Sequence, residues 1–298
     1  MDIAITGSTG FIGEALVADL VGNGHRVARL VRPGSNATSG ETISWDPRAG
    51  SIDAAGLEGV DGIVHLAGEG IETRRWSTEQ KARILDSRTN GTTLLTRTIE
   101  QLDRPPAVWL SGSAVGFYGD RGDEPVDESA EPGDDFLADV CQRWEGAAQT
   151  GPDTRLVYLR TGIVLDATGG ALAAQLPFFK FGLGGRIGDG RQFWSWISLA
   201  DEVAAIGHLL TADVDGPVNL TAPNPVTNAE FTTTLGRVLG RPTILPTPRL
   251  AVNARLGREL AEALLFTSAR VQPTVLEESG FEFRHRELDA ALRDTLEK

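Results

Sequence analysis

Gly7, Ser8, Thr9, Gly10, Phe11, Ile12 and Gly13 are the first residues whose types and spacing imply chemistry. Glycines three apart leave backbone amides uncovered, and phosphate oxygens are the natural acceptors for several converging N–H groups. Ile3, Ala4, Ile5 and Thr6 read as a buried strand, and Glu14 to Leu20 places Ala15, Leu16 and Leu20 at helical spacing. The glycines therefore fall between a strand and a helix. Gly7 permits the tight exit from the strand, Gly10 lets a diphosphate reach the backbone, and Gly13 lets the helix pack close to the sheet. Thr6, Thr9, Phe11 and Ile12 complete the expected cradle, and the helix dipole adds a positive field. The alternative is a glycine-rich turn of an α/β domain that binds nothing.

The second strand, Arg26 to Val31, bears on which dinucleotide fits. A fold of this kind that prefers an unphosphorylated ribose carries Asp or Glu about 20 residues past the glycines. Here Arg32 stands in that place, with Arg29 nearby and Ser35 just beyond. A guanidinium grips a 2′-phosphate through charge-assisted hydrogen bonds, so NADP(H) is expected over NAD(H). The alternative is that both arginines are merely solvated. Asp46, after the third strand, is expected beside the adenine. Leu66, Ala67 and Gly68, ending the fourth, are expected along the nicotinamide-side ribose. Ser111, Arg160, Thr161 and Gly162, at the ends of later strands, are expected on the same rim.

The elements that must position these residues alternate. Strand patterns at Ile43 to Trp45, Gly62 to Ala67, Ala107 to Leu110 and Leu156 to Arg160 interleave with helical ones at Thr78 to Leu102 and Phe136 to Thr150. This predicts an α/β fold, a Rossmann-type doubly wound parallel sheet with a smaller C-terminal α/β substrate lobe. The expected dinucleotide-binding domain spans residues 1–165, with the chain returning to it at about 192–221, and residues 166–298 form the substrate lobe. Glycines crowd residues 169–190 beside Pro177, Phe178, Phe179 and Phe181, which reads as a binding loop. Beyond it, helices are expected at Ala200 to Leu210, Asn228 to Leu239, Ala251 to Leu265 and Leu288 to Leu296. Ligand belongs in the cleft at the carboxyl ends of the strands.

With Thr6 to Gly13, His65-Leu-Ala-Gly68 and Ser111-Gly-Ser-Ala114 in place, the chain resembles the extended short-chain dehydrogenase/reductase superfamily. More narrowly it is similar to the atypical epimerase family branch, through Gly68-Glu69, Arg75-Trp76, Ser111 to Gly119, Arg143-Trp144-Glu145, Gly182 to Gly190, Gln192 to Ile197 and Ala222 to Asn228. The resemblance implies a Ser, Tyr and Lys trio in which tyrosine, its pKa lowered by lysine, moves the proton during hydride transfer. Ser113 matches the serine. Alignment on Glu145 places Leu137 at the tyrosine position and Cys141 at the lysine position, and neither can take over the role. Three residues remain as substitutes, one of them Glu69, an acid or base if burial raises its pKa. Tyr118 is a proton donor or simply an aromatic holding its loop, and Lys81 is a stand-in cation or a solvated helix residue. Glu69 and Arg75, with Arg74 beside it, are the expected substrate contacts, or else surface charges.

Composition narrows the classes. The net charge of −13 opposes docking on nucleic acid, and no apolar run is long enough to span a bilayer. The first residues enter a core strand without a basic leader, so a cytoplasmic location is expected. Cys141 is the single cysteine and the four histidines are scattered, so no metal site is expected. A monomer or a homodimer is expected. The expected activity is hydride transfer on an unknown small carbonyl or sugar-like substrate. The alternatives are a catalytically silent NADP(H)-binding regulatory or interaction protein and a nucleotide-sugar epimerase. Only Lys81, Lys180 and Lys298 of the 28 basic residues are lysine, which fits either a halophilic acidic surface or an arginine-rich composition bias. Dialysis into low salt separates the two: a halophilic surface loses its fold by circular dichroism, and a composition bias leaves it intact.

Overall fold

The computed structural model describes residues 1–34 and 40–297, so Ser35 and Lys298 lie outside the described residues. Eight strands form the main sheet: β1 Asp2–Thr6, β2 Arg26–Val31, β3 Glu41–Asp46, β4 Ser51–Ile52, β5 Gly62–His65, β6 Val108–Ala114, β7 Arg155–Thr161 and β8 Gly216–Leu220. Their order is β8-β7-β6-β5-β1-β2-β3-β4, with β4 alone antiparallel to its neighbour. The chain builds outward from β1 through β2 and β3, then crosses back to lay β5 on the other side of β1. That reversal opens a crevice over the carboxyl ends of β1 and β5.

Alternation along each strand supplies both faces of the sheet. Ile3, Ile5, Val64 and Leu110 point to one side, where they join Leu16 and Leu20 of α1 (Phe11–Gly22) and Ile206 and Leu209 of a later helix, Leu199–Leu209. Ala4, Ile63 and Trp109 point to the other side, against Leu95 and Ile99 of α2 (Thr78–Ile99). Beside α2 packs α3 (Phe136–Ala147). Each of these two helices starts at a polar cap: the Ser77 hydroxyl accepts from Gln80 N at 3.2 Å, and the Asp135 carboxylate accepts from Ala138 N at 2.9 Å.

A second core gathers Leu172, Leu176 and Phe179 of α4 (Gly170–Lys180) with Trp194, Trp196, Phe231, Leu235 and Leu292. It lies between α4, the helix Asn228–Leu239 and the helix Leu288–Leu296. The glycine-crowded stretch expected to be a binding loop is thus partly helical. Leu172, Leu176 and Phe179 recur at helical spacing on a buried face, which outweighs Pro177 within the helix and the glycine start. The helix expected over 251–265 is instead broken at Gly257, whose φ of +87° ends Arg249–Leu256 and starts Arg258–Ala261. Residues 275–283 return to the large core through Val275, Leu276, Phe281 and Phe283. Among the described residues no helix is long and apolar enough to cross a membrane, and no cluster of three or more His, Cys, Asp or Glu could hold a metal ion.

The glycine loop is held by close packing of backbone on backbone. A Cβ on Gly13 would lie 2.2 Å from the Gly7 carbonyl oxygen, whereas one on Gly22, in the same helix, would meet nothing within 4 Å. Gly13→Ala should therefore destabilise the fold by about 1–3 kcal/mol in urea unfolding, and Gly22→Ala should cause no loss.

Candidate functional site

Strand β1 ends in Thr6, and Gly7 turns the chain with φ of +68°. A Cβ on Gly7 would sit 2.8–2.9 Å from the Leu66 and Ala67 backbone, so the loop lies directly against the end of β5. Gly10 caps α1 without a side chain, leaving the first-turn amides of Phe11, Ile12 and Gly13 without an intrahelical acceptor. Thr9 and Gly10 are exposed at the mouth of this turn. Phe11 packs its ring on Gly169, where a Cβ would lie 2.4 Å from the ring. At the β2 end, Arg29 donates through Nη1 to the Ser8 carbonyl at 3.3 Å, and Arg32 is exposed just past the strand. Uncovered amides, a close backbone approach and two arginines beside the adjacent strand suit a phosphorylated dinucleotide.

His65, noted in the sequence as part of His65-Leu-Ala-Gly68 but given no role, locks that turn in place. Thr6 Oγ1 lies 2.7 Å from His65 Nδ1 and accepts from Leu66 N and Ala67 N at 3.1 Å each. On its other side His65 Nε2 lies 3.1 Å from Thr92 Oγ1, which donates to the Arg88 carbonyl at 2.7 Å. These partners assign one proton order: Thr6 donates to Nδ1 and Nε2–H donates to Thr92. A neutral imidazole is required. Burial, with the nearby Arg88 charge, pushes His65 down to about 3.

A second buried network runs from β6 to β8. Ser113 Oγ donates to Glu145 Oε1 at 2.6 Å, and Arg160 grips both Glu145 oxygens at 2.9 Å. Arg160 also donates to the Tyr118 hydroxyl at 3.0 Å, which in turn donates to Asn219 Oδ1 at 2.7 Å. Asn219 is anchored by Glu128 and by the Gln272 carbonyl. This geometry bears on two expectations. Tyr118 is fully buried, its proton points to Asn219 Oδ1, and burial pushes its hydroxyl up to about 12, which suits an aromatic holding its loop. Arg160 turns its guanidinium onto Glu145, Tyr118 and the Phe117 ring, and not toward the glycine loop.

Other expected contacts are drawn elsewhere. Lys81, the proposed stand-in cation, is ion-paired with Glu259 and lies 4.7 Å from the Phe136 ring centroid. Arg75, expected on substrate, donates to the Ala254 and Arg255 carbonyls at the end of the helix Arg249–Leu256. Such positions suit a cation capping a helix end. Asp46 accepts from Arg48 N and Ala49 N in a turn after β3. Ser111 is buried with its hydroxyl unpartnered, and Thr161 donates to Glu202 at 2.9 Å. Gly162 lies where a Cβ would meet the Ser195 carbonyl at 2.6 Å. Gly68 and Glu69 stay at the crevice, with Glu69 half-buried and its amide donating to Ser87 Oγ.

Leu137 and Cys141 sit side by side on α3, against Gly116. Burial, with Glu145 nearby, pushes the Cys141 thiol up to about 12, so this position carries a neutral S–H and no cation. A cavity of about 410 Å³ opens over Leu137, lined by Trp76, Phe136, Arg258 and Glu259. A larger one, about 790 Å³, adjoins it through the shared Glu262 and Thr267 and carries Asp120, Asp189, Arg191 and Arg249.

Residues 3–136 match the family model described as the NAD dependent epimerase/dehydratase family, and residues 247–295 match a domain of unknown function. An epimerase family protein of Mycobacterium leprae is 43% identical over 293 residues, covering 97% of this chain and 94% of that one. Human epimerase family protein SDR39U1 is 38% identical over 300 residues, covering 99% of each. This chain belongs to the epimerase family. The crystal structure of human SDR39U1 isoform 2 with NADPH matches this family member with a TM-score of 0.92 at 37% identity, covering 100% of this chain and 99% of that one. A Thermus thermophilus UDP-glucose 4-epimerase complex with NAD, at 19% identity and TM-score 0.74, shares the fold alone. The epimerase family chain is therefore an atypical extended short-chain dehydrogenase/reductase with a Rossmann fold.

Sequence reasoning missed His65, Thr92, Asn219 and Glu202, each of which acts through a partner far away in the chain. His65 and Asn219 carried a signal all the same, as polar residues inside otherwise apolar strand runs. Glu202 is fully buried with Oε2 unpartnered, and burial pushes it up to about 8. The folded state thus holds a proton that the unfolded chain releases near its ordinary carboxylate pKa. Stability from this group is lost as pH rises from about 4.5 to about 8. Glu202→Gln should remove that loss, so its melting temperature relative to wild type rises between about pH 5 and about pH 8.

Proposed function

We propose that this chain is an NADP(H)-binding oxidoreductase that works without the Tyr–Lys relay, on a small carbonyl or sugar-like substrate in the crevice above β5, β6 and α3. The observation that carries this reading is the pairing of the glycine loop's uncovered amides with Arg29 and Arg32 at the next strand. The NADPH present with human SDR39U1 supports the same cofactor here. When bound, the nicotinamide supplies or accepts hydride at its ring. Gly7 and the first turn of α1 hold the diphosphate, with Thr6 turned inward onto His65 and the end of β5, and Arg32 meets the 2′-phosphate. Leu66, Ala67 and Gly68 flank the next ribose. Ser113 keeps its proton on Glu145, so toward substrate it offers an acceptor rather than a donor.

A second reading, a silent NADP(H)-binding regulatory protein, is favoured by Leu137, Cys141 and the committed Tyr118 proton. Turnover separates the two. Isothermal titration should give NADPH tighter binding than NADH, and Arg32→Asp should weaken NADPH by about tenfold or more while sparing NADH. NADPH oxidation with any of a panel of carbonyls and nucleotide sugars establishes the oxidoreductase. Tight binding without oxidation across that panel favours the silent protein, and NADH binding as tightly as NADPH defeats the assignment.

A further inference from the structure

Arg88 of α2 is a cation at the crevice with no ion-pair partner among the described residues. Its Nη1 donates to the Glu69 and Ile84 carbonyls at 3.0 Å each, which fixes the head of the side chain. Its Cζ stands 5.0 Å from the Trp144 ring, and a Cβ on Gly68 would lie 3.2 Å from that Cζ. Trp144, on α3, in turn packs against β6, where a Cβ on Gly112 would be 2.7 Å from its ring. The guanidinium is thus clamped between the end of β5 and the face of α3 that carries Cys141. No carboxylate of the described residues is ion-paired with it, and its Nε and Nη2 hydrogens are neither bonded to those residues nor sealed from solvent. A guanidinium fixed this way presents Nε and Nη2 as ready donors to an acceptor entering the crevice.

Sheet order says what that acceptor is. With the adenosine half at β2 and the diphosphate at the β1–α1 turn, the remaining half of the dinucleotide runs the other way, over the ends of β5 and β6. We propose that Arg88 binds the nicotinamide half of the cofactor through its free Nε and Nη2 donors, supplying from α2 the fixed cation that Cys141 cannot supply from α3. The acceptors of matching chemistry are the ribose hydroxyl and carboxamide oxygens of that half. His65 suits the arrangement: it orders α2 through Thr92 and the Arg88 carbonyl while staying uncharged beside the guanidinium.

This inference rests on the NADP(H) reading, and the test keeps the two apart. Calorimetric affinities are measured for NADPH and for adenosine 2′,5′-bisphosphate, which lacks the nicotinamide half, on wild type, Arg88→Met and Arg88→Lys. The expected result is NADPH binding weakened by about ten- to a hundredfold in Arg88→Met, with the bisphosphate unchanged and Arg88→Lys recovering part of the loss. Bisphosphate binding also reports that the variant's glycine loop is folded. Unchanged NADPH affinity in Arg88→Met, or equal weakening of both ligands, overturns the proposal. Wild type that binds neither ligand overturns the cofactor reading and this one with it.

Discussion

The close approach of Gly7 to the Leu66–Ala67 backbone is the constraint on which the site depends. No side chain fits between the glycine turn and the end of β5, so the position of each fixes the other. Thr6 makes the contact specific by accepting both amides that the end of β5 presents, at 3.1 Å each. Backbone amides left over from such a pairing would be costly if buried alone. One hydroxyl therefore satisfies two donors and sets the floor of the crevice.

From Thr6 the order spreads through His65 to Thr92 and α2. Three elements that the sequence separates by dozens of residues are thereby fixed to within a hydrogen bond of one another: the glycine loop, the end of β5 and the helix carrying Arg88. A charged imidazole would break the chain at Nδ1, where the Thr6 proton points inward. Neutrality is assured by depth and by the neighbouring guanidinium, in that order.

Much of the sheet was legible because its signals are local. Ile3 to Thr6 and Gly62 to His65 are short apolar runs next to glycine turns, and the glycine loop can be read within ten residues of β1. What stayed hidden was nonlocal. Tyr118 looked available because its spacing from Ser113 says nothing about Asn219 and Arg160, which reach it from β8 and β7. Lys81 looked free because Glu259 lies in a distant part of the chain. Arg75 stood in the same position, its partners being carbonyls some 180 residues away. The helix Gly170–Lys180 was hidden for a different reason: glycine and proline dominate its local signal, and only the buried Leu172, Leu176 and Phe179 stripe makes it helical.

The distribution of buried charge separates scaffold from site. Glu145 and Arg160 neutralise each other with matched bidentate geometry, and the Ser113 and Tyr118 hydroxyls complete their remaining valences. In this network the Ser113 and Tyr118 protons and both Glu145 oxygens have partners, and removing Glu145 or Arg160 would strand the other in a low-dielectric interior. Across α3 the logic is reversed. Cys141 contributes no charge, His65 contributes none, and Arg88 spends a single nitrogen on carbonyls and keeps the rest open. A protein that closes one polar network and leaves a cation open beside it has separated stability from binding. The closed half holds β6, β7 and β8 in register, and the open half faces the crevice where the glycine loop would deliver a dinucleotide.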